Sequence, residues 1–392
     1  MPSLIMSSYH SIRVLNRFPI IRHFGTKSEP LLMVVGGAVM DITSTFAMET
    51  AVDIKSPSSF LHTSCPGTVR QNLGGVGRNV AEAAYRSGTD TLLVSAVGSD
   101  LASKILIDGI KKSGMRVEGI RQYGGETTAV GVIFQEWLLV FCLIMLYQIY
   151  NALHSPDGQL ISAVADMNVF KMITSSQVLA ALESHSPSLV CCDGNLEPNV
   201  LCDTARIASN LNIPVHFEPT SIPKSLKIFE DTATLTAGCF KSISPNQHEL
   251  AAMSNTAREV LPEVEERYKM SELTKHQLDG LPDTAIECLP YALHLSNFFR
   301  VIVTKLGEHG CLITGQANGK PVLRYFKPHA IRSDQIKSVT GAGDSFVGVM
   351  LSHLNRNLYC LKDLEHPYWQ EVIHHAQNAA IRTLQSHDAV GV

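Results

Sequence analysis

Short apolar runs alternate along the chain with amphipathic stretches of helical period. "LLMVVGGAVMDI" reads as an opening strand that runs into a glycine turn, and "GRNVAEAAYRSG" as a helix closed by Gly88. "TLLVSAVG" follows as a strand, and Asp100 stands where it would cap the helix "LASKILIDGIKKSG". Further on come strand "SLVCCDGN", helix "VLCDTARIASN", strands "IPVHFEP" and "SISPN", and helix "QHELAAM". The chain ends with strand "FRVIVTKLG", a hairpin at "GEHGCLITG", and helices after Gly341 and around Trp369. This alternation predicts an α/β fold: a mainly parallel sheet with helices on both faces. Two stretches, 44–73 and 118–166, alternate with period two around turns such as "SPDG" at 155–158. They predict a small antiparallel β-flap, or lid, inserted in the α/β body. The region 255–297 is polar and helical and reads as a surface excursion. No repeat or low-complexity tract interrupts the pattern.

Two segments depart from it. "WLLVFCLIMLYQIY", Trp137 to Tyr150, has an unbroken apolar core of about eleven residues, short of the roughly 18–20 that a membrane helix needs. It is expected to be a buried helix or strand and not a stable membrane span. The first thirty residues carry Arg13, Arg17, Arg22 and Lys27, several serines, and no acid before Glu29. That is the composition of a mitochondrial transit peptide or of a disordered extension. It leaves mitochondrial, cytoplasmic and peroxisomal placement open, and the segment 1–30 is set apart from a single domain over 31–392.

Composition adds exclusions. With 392 residues the chain can bury a large core, and its net charge of −4 comes with no basic stripe, so nucleic acid is not an expected partner. Nine cysteines lack any CxxC pair, and Cys191 and Cys192 lie in an apolar run. They read as buried thiols of a reducing compartment, not as a disulfide framework or a zinc site. His62 with Cys65, and His374 with His375, read as surface or core residues.

The chemistry concentrates in two glycine-rich stretches. "SVTGAGDSF", Ser338 to Phe346, places Gly341, Ala342 and Gly343 directly before Asp344 at the mouth of a helix. Small residues let backbone N–H groups approach an anion, and the helix start adds its positive dipole end. Such a nest suits a phosphoryl group in transfer, and a carboxylate beside it suits taking a proton from the incoming nucleophile. The plainer alternative is a glycine turn in which Asp344 stabilises the helix start. The second stretch, "LGGVGRNVAEAAYRSG", sets Gly74, Gly75 and Gly77 ahead of a helix with Asn79 in its first turn. Asn79 offers a donor and an acceptor to sugar hydroxyls, and Asp41 at the end of the first strand can accept from two adjacent hydroxyls. Neither a Rossmann GxGxxG nor a Walker A motif is present.

"GGVGRNVAEAAYRSGTDTLLVSAVG" and "SVTGAGDSF" together resemble the two signatures of the ribokinase (PfkB-type) carbohydrate kinases. The first fits throughout. The second departs at Ser338 and Val339, where many members have Asp-Thr, and at Val349, which replaces a usual small residue. The resemblance covers about residues 31–390 and implies a ribokinase-like fold. "GTVRQNLGGVGRNVAE", "FEPTSIPKS" and "SPNQHEL" further resemble the branch of this family that acts on pseudouridine, whose members also tend to lack that Asp. The resemblance implies an ATP-dependent kinase for the 5′-hydroxyl of pseudouridine. Alternatives are a ribokinase-like or adenosine-kinase-like enzyme, or a silent ligand-binding relative.

Carried over residue by residue, the resemblance implies Asp344 as catalytic base and Gly341, Ala342 and Gly343 as anion hole. It implies Asp41, Gly75 and Asn79 for the ribose, with Thr127 opening the flap strand that closes on substrate. Asn246 and Glu249 would organise Mg2+, largely through water, and Asn246 would also face the nucleotide. Thr304 and Gly307 would receive ATP, and Glu218 would lie near the phosphates. The bland alternatives are Asn246 as a helix cap, Thr304 as a strand hydroxyl and Glu218 as a solvated charge. A monovalent cation (K+) requirement stays open, because Ser338 removes a carboxylate. A homodimer through the flap is expected, as related proteins often pair there. The halves "TTAVGVIF" and "NALHSPDGQLISAVADM" look like one flap hairpin of the family, with roughly twenty residues between them, more than a hairpin loop needs. We expect an insertion at about 135–152 from retained intronic sequence or a faulty gene model, the rival being a genuine flap extension.

Overall fold

The computed structural model describes residues 30–46, 67–135, 150–154, 160–162, 164–264, 270–317 and 320–391. The expected extension over 1–30, apart from Pro30, and the apolar run after Gln135, apart from Tyr150, lie outside the described residues.

Fifteen strands are described. They are β1 (Leu32–Val35), β2 (Val39–Phe46), β3 (Gly67–Gly74), β4 (Thr91–Gly98), β5 (Ile120–Tyr123), β6 (Val130–Gln135), β7 (Tyr150–His154), β8 (Leu160–Ser162), β9 (Val164–Asp166), β10 (Leu189–Asp193), β11 (Val215–Glu218), β12 (Phe240–Ile243), β13 (Val301–Lys305), β14 (Cys311–Ala317) and β15 (Lys320–Phe326). The helices are α1 (Val76–Arg86), α2 (Leu101–Lys112), α3 (Ser175–His185), α4 (Pro198–Asn210), α5 (Ile222–Ser225), α6 (Thr232–Thr236), α7 (Gln247–Val260), α8 (Lys275–Leu278), α9 (Asp283–Leu295), α10 (Ala342–Arg356) and α11 (Trp369–Leu384).

Nine strands form the main sheet in the order β15-β14-β13-β12-β11-β10-β1-β4-β5. Pairing is parallel from β13 through β5 and antiparallel only at the hairpins β13–β14 and β14–β15. A central parallel strand is covered on both faces, so it reads as an unbroken apolar run. In β1, Met33 and Val35 enter the core layer that holds α3, α4, α7 and α9. Leu32 and Val34 enter the opposite layer with α1, α2, α10 and α11. Each such buried side chain stabilises the fold by roughly 1.5–3 kcal/mol. The expected parallel sheet with helices on both faces is what the chain forms. Asp100 caps α2 through a capping box with Ser103, and Gly88 closes α1 at φ 85°.

Three expectations change. The opening strand breaks at Gly36-Gly37: β1 stays in the main sheet while β2 leaves for a second one. A Cβ on Gly36 would sit 2.4 Å from Asp193 Cγ, so only glycine lets the chain turn there. The stretch 255–297 is not a surface excursion throughout, because α9 buries Ala285, Cys288, Leu289, Ala292, Leu293 and Leu295 in the core. The flap is mixed, not antiparallel. Its order is β3-β2-β6-β7-β8, with β2–β6 and β6–β7 parallel and β2–β3 and β7–β8 antiparallel. Parallel neighbours need a crossover of about a dozen residues or more. β6 and β7 pair in parallel, so the two expected halves of one hairpin become two parallel neighbours.

Among the described residues, no helix is long and apolar enough to cross a membrane and no cluster of three or more His, Cys, Asp or Glu could hold a metal ion. The seven described cysteines are free and buried.

Candidate active site

The carboxyl ends of β1, β10, β11 and β13 open onto one cleft, as ligand sites in open α/β sheets do. Gly341 caps α10 in the left-handed region at φ 78°. A Cβ on it would stand 2.0 Å from the Ala389 carbonyl oxygen, so glycine is required twice over. The turn aims the first amides of α10 into the cleft and sets Asp344 in its first turn.

Asp344 and Asn79 come from opposite ends of the sequence and meet here: Asn79 Nδ2 donates to Asp344 Oδ2 at 2.7 Å. The other end of Asn79 accepts from the Arg78 guanidinium, so its amide is oriented from both sides. Arg78 is buried, ion-paired to Glu82, and donates to the Leu73 and Gly74 carbonyls, which fixes the glycine turn before α1. Burial raises the Asp344 pKa, an effect that the Asn79 hydrogen bond and the Lys305 charge oppose. Asp41 is pushed up to about 7 by burial, with Arg78 opposing and Asp344 adding to the rise. The Asp41 carboxylate occupies the space over Gly74, where a Cβ would be 1.7 Å from Oδ2. Gly75 takes φ 89° at the start of α1, and a Cβ on Gly77 would meet the Gly36 backbone at 2.7 Å. Asp41, Gly75, Asn79 and Asp344 are therefore brought together.

Thr127 lies on the loop that enters β6 and donates to Asp166 Oδ2 at 3.1 Å, and Asn168 Nδ2 reaches Asp166 Oδ1 at 3.1 Å. Gly307, at φ 60°, has nothing within 4 Å of its missing Cβ and opens the turn after β13. Beyond that turn Tyr325 Oη donates to the His309 carbonyl at 2.8 Å. Tyr325 also borders a groove of about 380 Å³ whose walls include Phe326, His329, His374 and Gln377.

Asn246 and Glu249 form a capping box. Asn246 Oδ1 accepts from the amides of His248 and Glu249 at 2.9 Å, and Glu249 Oε2 accepts from the Asn246 amide at 2.8 Å. The Asn246 carbonyl oxygen is thus committed to the helix start. Thr304 is buried with its hydroxyl unpaired and lies on the same face of β13 as Ile302, away from α10. The structure does not bring it to the cleft.

Two residues were missed. Lys305 follows Thr304 on the other face of β13 and stands at the mouth of α10: a Cβ on Gly343 would be 3.9 Å from its Nζ. It donates to Glu218 Oε1 at 2.7 Å, and Glu218 is buried, not solvated. Burial works against its charge, but Glu218, Glu249 and Asp344 together hold the Lys305 pKa above its ordinary value. The signal was strand alternation: Val301 and Val303 pack in the α10 layer, so position 305 faces that layer and 304 cannot. The second is Asp193, wholly buried, whose carboxylate accepts from the amides of Gly37, Gly77 and Asn195. A lone carboxylate ending the apolar run "LVCCD" was its signal.

The architecture is that of ribokinase-like kinases. The chain belongs to the pfkB family of carbohydrate kinases, whose profile matches residues 47–389. It is 24% identical over 404 residues to a pseudouridine-metabolizing bifunctional protein of Schizosaccharomyces pombe, covering 93% of this chain and 47% of that protein. The chain thus spans about half the length of that relative. It is also 24% identical to a pseudouridine kinase of Arabidopsis thaliana, over 77% of this chain and 81% of the relative. A solved ribokinase from Cryptococcus neoformans in complex with ADP superposes with a TM-score of 0.63 at 17% identity, over 92% of this chain and 96% of that one.

Proposed function

We propose that the chain is an ATP-dependent kinase that converts pseudouridine to pseudouridine 5′-phosphate. The carrying observation is the pairing of Asp344 with Asn79 beside the Gly341–Gly343 turn: a hydrogen-bonded carboxylate next to a ready-made anion hole. The 5′-hydroxyl oxygen bonds to the terminal phosphorus, and its proton passes to Asp344. The bond from that phosphorus to the β–γ bridging oxygen breaks, and its electron pair leaves with ADP. Asp41, Gly75 and Asn79 orient the ribose, and the amides of Gly341, Ala342 and Gly343 receive the transferring group. Thr127 places the flap over the substrate, and its closure keeps water away from the phosphoryl group. ATP would run from this nest past Gly307 toward the groove beside Tyr325.

Glu249 fits a magnesium ion: its carboxylate has lone pairs beyond the one given to the Asn246 amide. Magnesium would supply charge neutralisation at the phosphates. Asn246 would act on it through the helix start. A monovalent cation is not part of this reading, because Ser338 puts a neutral hydroxyl where the resemblance expects a carboxylate. Turnover is expected to be unchanged when potassium is replaced by tetramethylammonium at constant ionic strength. A fall of more than about tenfold would place a cation there.

The two pseudouridine-named relatives support the choice of substrate. So does the polar group Thr127, Asp166 and Asn168 beside the flap, which suits a base with N–H donors on its edge. A homodimer through the flap belongs to this reading, with Val69 exposed on the outer strand β3. The test is ADP release across pseudouridine, uridine, adenosine, inosine and ribose. Pseudouridine is expected to give a kcat/KM at least tenfold above the others. A preference for ribose or adenosine would reassign the substrate.

A further inference from the structure

We propose that Lys305 is the cation that grips the terminal phosphate, and that Glu218 holds its ammonium in reserve until nucleotide arrives. This rests on the kinase reading above. Three observations converge on it. Among the described residues outside its own helix and chain neighbours, Lys305 Nζ is the one atom within 4 Å of where a Cβ on Gly343 would stand, so the ammonium sits over the nest. Its present partner is Glu218 Oε1 at 2.7 Å, and its side chain keeps 17% exposure. Glu218 is itself fixed from behind. Ser244 Oγ–H donates to Glu218 Oε2, His216 Nε2 pairs with Ser244 Oγ at 2.7 Å, and His216 Nδ1 pairs with Ser242 Oγ at 2.8 Å.

The buried chain Ser242–His216–Ser244–Glu218 is hydrogen-bonded from end to end, whereas the lysine stem is long and rotatable. When a phosphate enters the nest, the ammonium can swing from a fixed carboxylate to a phosphoryl oxygen over a short distance. Glu218, Glu249 and Asp344 surround this one ammonium, so without it the nest would repel a polyphosphate. During transfer the ammonium follows the charge that moves toward the β–γ bridging oxygen as that P–O bond breaks. No proton leaves the lysine. Glu218 acts as a positioning residue that sets where the ammonium waits.

The test uses the full chain with Lys305→Met, Lys305→Arg, Glu218→Gln and the double variant Lys305→Met/Glu218→Gln. The double variant guards against a fold failure caused by leaving the Glu218 charge buried alone. Two readouts are needed: kcat and KM, and direct calorimetric binding of ADP and of a non-hydrolysable ATP analogue. Lys305→Met, or the double variant if the single one does not fold, is expected to lower kcat about 10²–10³-fold, as loss of an oxyanion donor does. Its nucleoside KM should stay within about threefold, and its preference for the ATP analogue over ADP should be lost. Lys305→Arg should recover at least tenfold of the lost kcat. Glu218→Gln should tighten the ATP analogue severalfold while lowering thermal stability.

A folded double variant that keeps kcat and the ATP-over-ADP preference would overturn the role of Lys305 and leave the kinase reading standing. So would equal loss of both nucleotides with no rescue by arginine. A wild-type chain that neither binds the ATP analogue nor releases ADP with any sugar or nucleoside would defeat the kinase reading itself.

Discussion

Asp344→Asn is expected to lower kcat by about 10²–10⁴-fold, the range a positioned general base supplies, while ADP still binds. Asparagine matches the shape of aspartate, and its side-chain oxygen can still accept from Asn79 Nδ2, so the turn before α10 has no cause to move. What is lost is a group that can take the hydroxyl proton. ADP should bind as tightly as to the wild type or more so, because one carboxylate has left the phosphate end. The pH profile separates this from a structural defect. A base works only when ionised. Burial raises the Asp344 pKa, so as pH falls through that raised value the carboxyl gains its proton and kcat/KM declines. The acid limb of the wild type should therefore lie above the ordinary carboxylate range of about 4. In Asp344→Asn the limb in kcat should vanish and leave a small residual rate, whereas kcat/KM keeps the dependence on the Asp41 carboxylate at about 7. A variant that keeps more than a tenth of the wild-type kcat with the same acid limb would assign the proton to another group.

Much of this site was readable in the chain because its backbone requirements are local. Gly341 needs a left-handed turn, Gly75 the same before α1, and Asp100 and Asn246 cap the helices that follow them. These demands appear in neighbouring residues, and the order of two glycine stretches placed both at one sheet edge. Side-chain partners were less readable, because they come from distant elements. Asn79 reads as a sugar ligand, but its partners Arg78 and Asp344, the latter 265 residues away, do not show in its neighbours. Neither Arg78 nor Glu82 stands out in the sequence, yet both are buried as an ion pair. Thr304 was chosen over Lys305 by motif, although the two-residue period of β13 points the hydroxyl into the core and the ammonium into the cleft. The mixed flap was hidden for another reason. Hydrophobic alternation specifies which face of a strand is covered but not the direction of its neighbour, and direction follows from the length of the connection.

The largest stability effect is expected at Asp193, which sequence inspection passed over. Asp193→Ala should lower unfolding stability by about 3–5 kcal/mol, the combined cost of several buried donors left without their acceptor. Oδ2 accepts from Gly37 N at 2.9 Å, Gly77 N at 2.8 Å and Asn195 Nδ2 at 2.8 Å, and Oδ1 accepts from Asn195 N at 2.9 Å. Alanine leaves those donors buried without an acceptor, and each orphan carries its own desolvation penalty. The loss should appear in urea as a lower midpoint with an unchanged slope. Asp193→Asn is the more informative partner. It keeps the volume and one acceptor oxygen, so the chain should fold, but its NH2 must face an amide that already needs an acceptor. In the proposed reading, Gly37 and Gly77 lie toward the sugar end of the cleft and Gly343 at its phosphate end. Asp193→Asn should accordingly raise the nucleoside KM by about tenfold and leave the ATP KM within about twofold. An Asp193→Ala chain with the wild-type urea midpoint would mean that the glycine loops hold their places without this carboxylate.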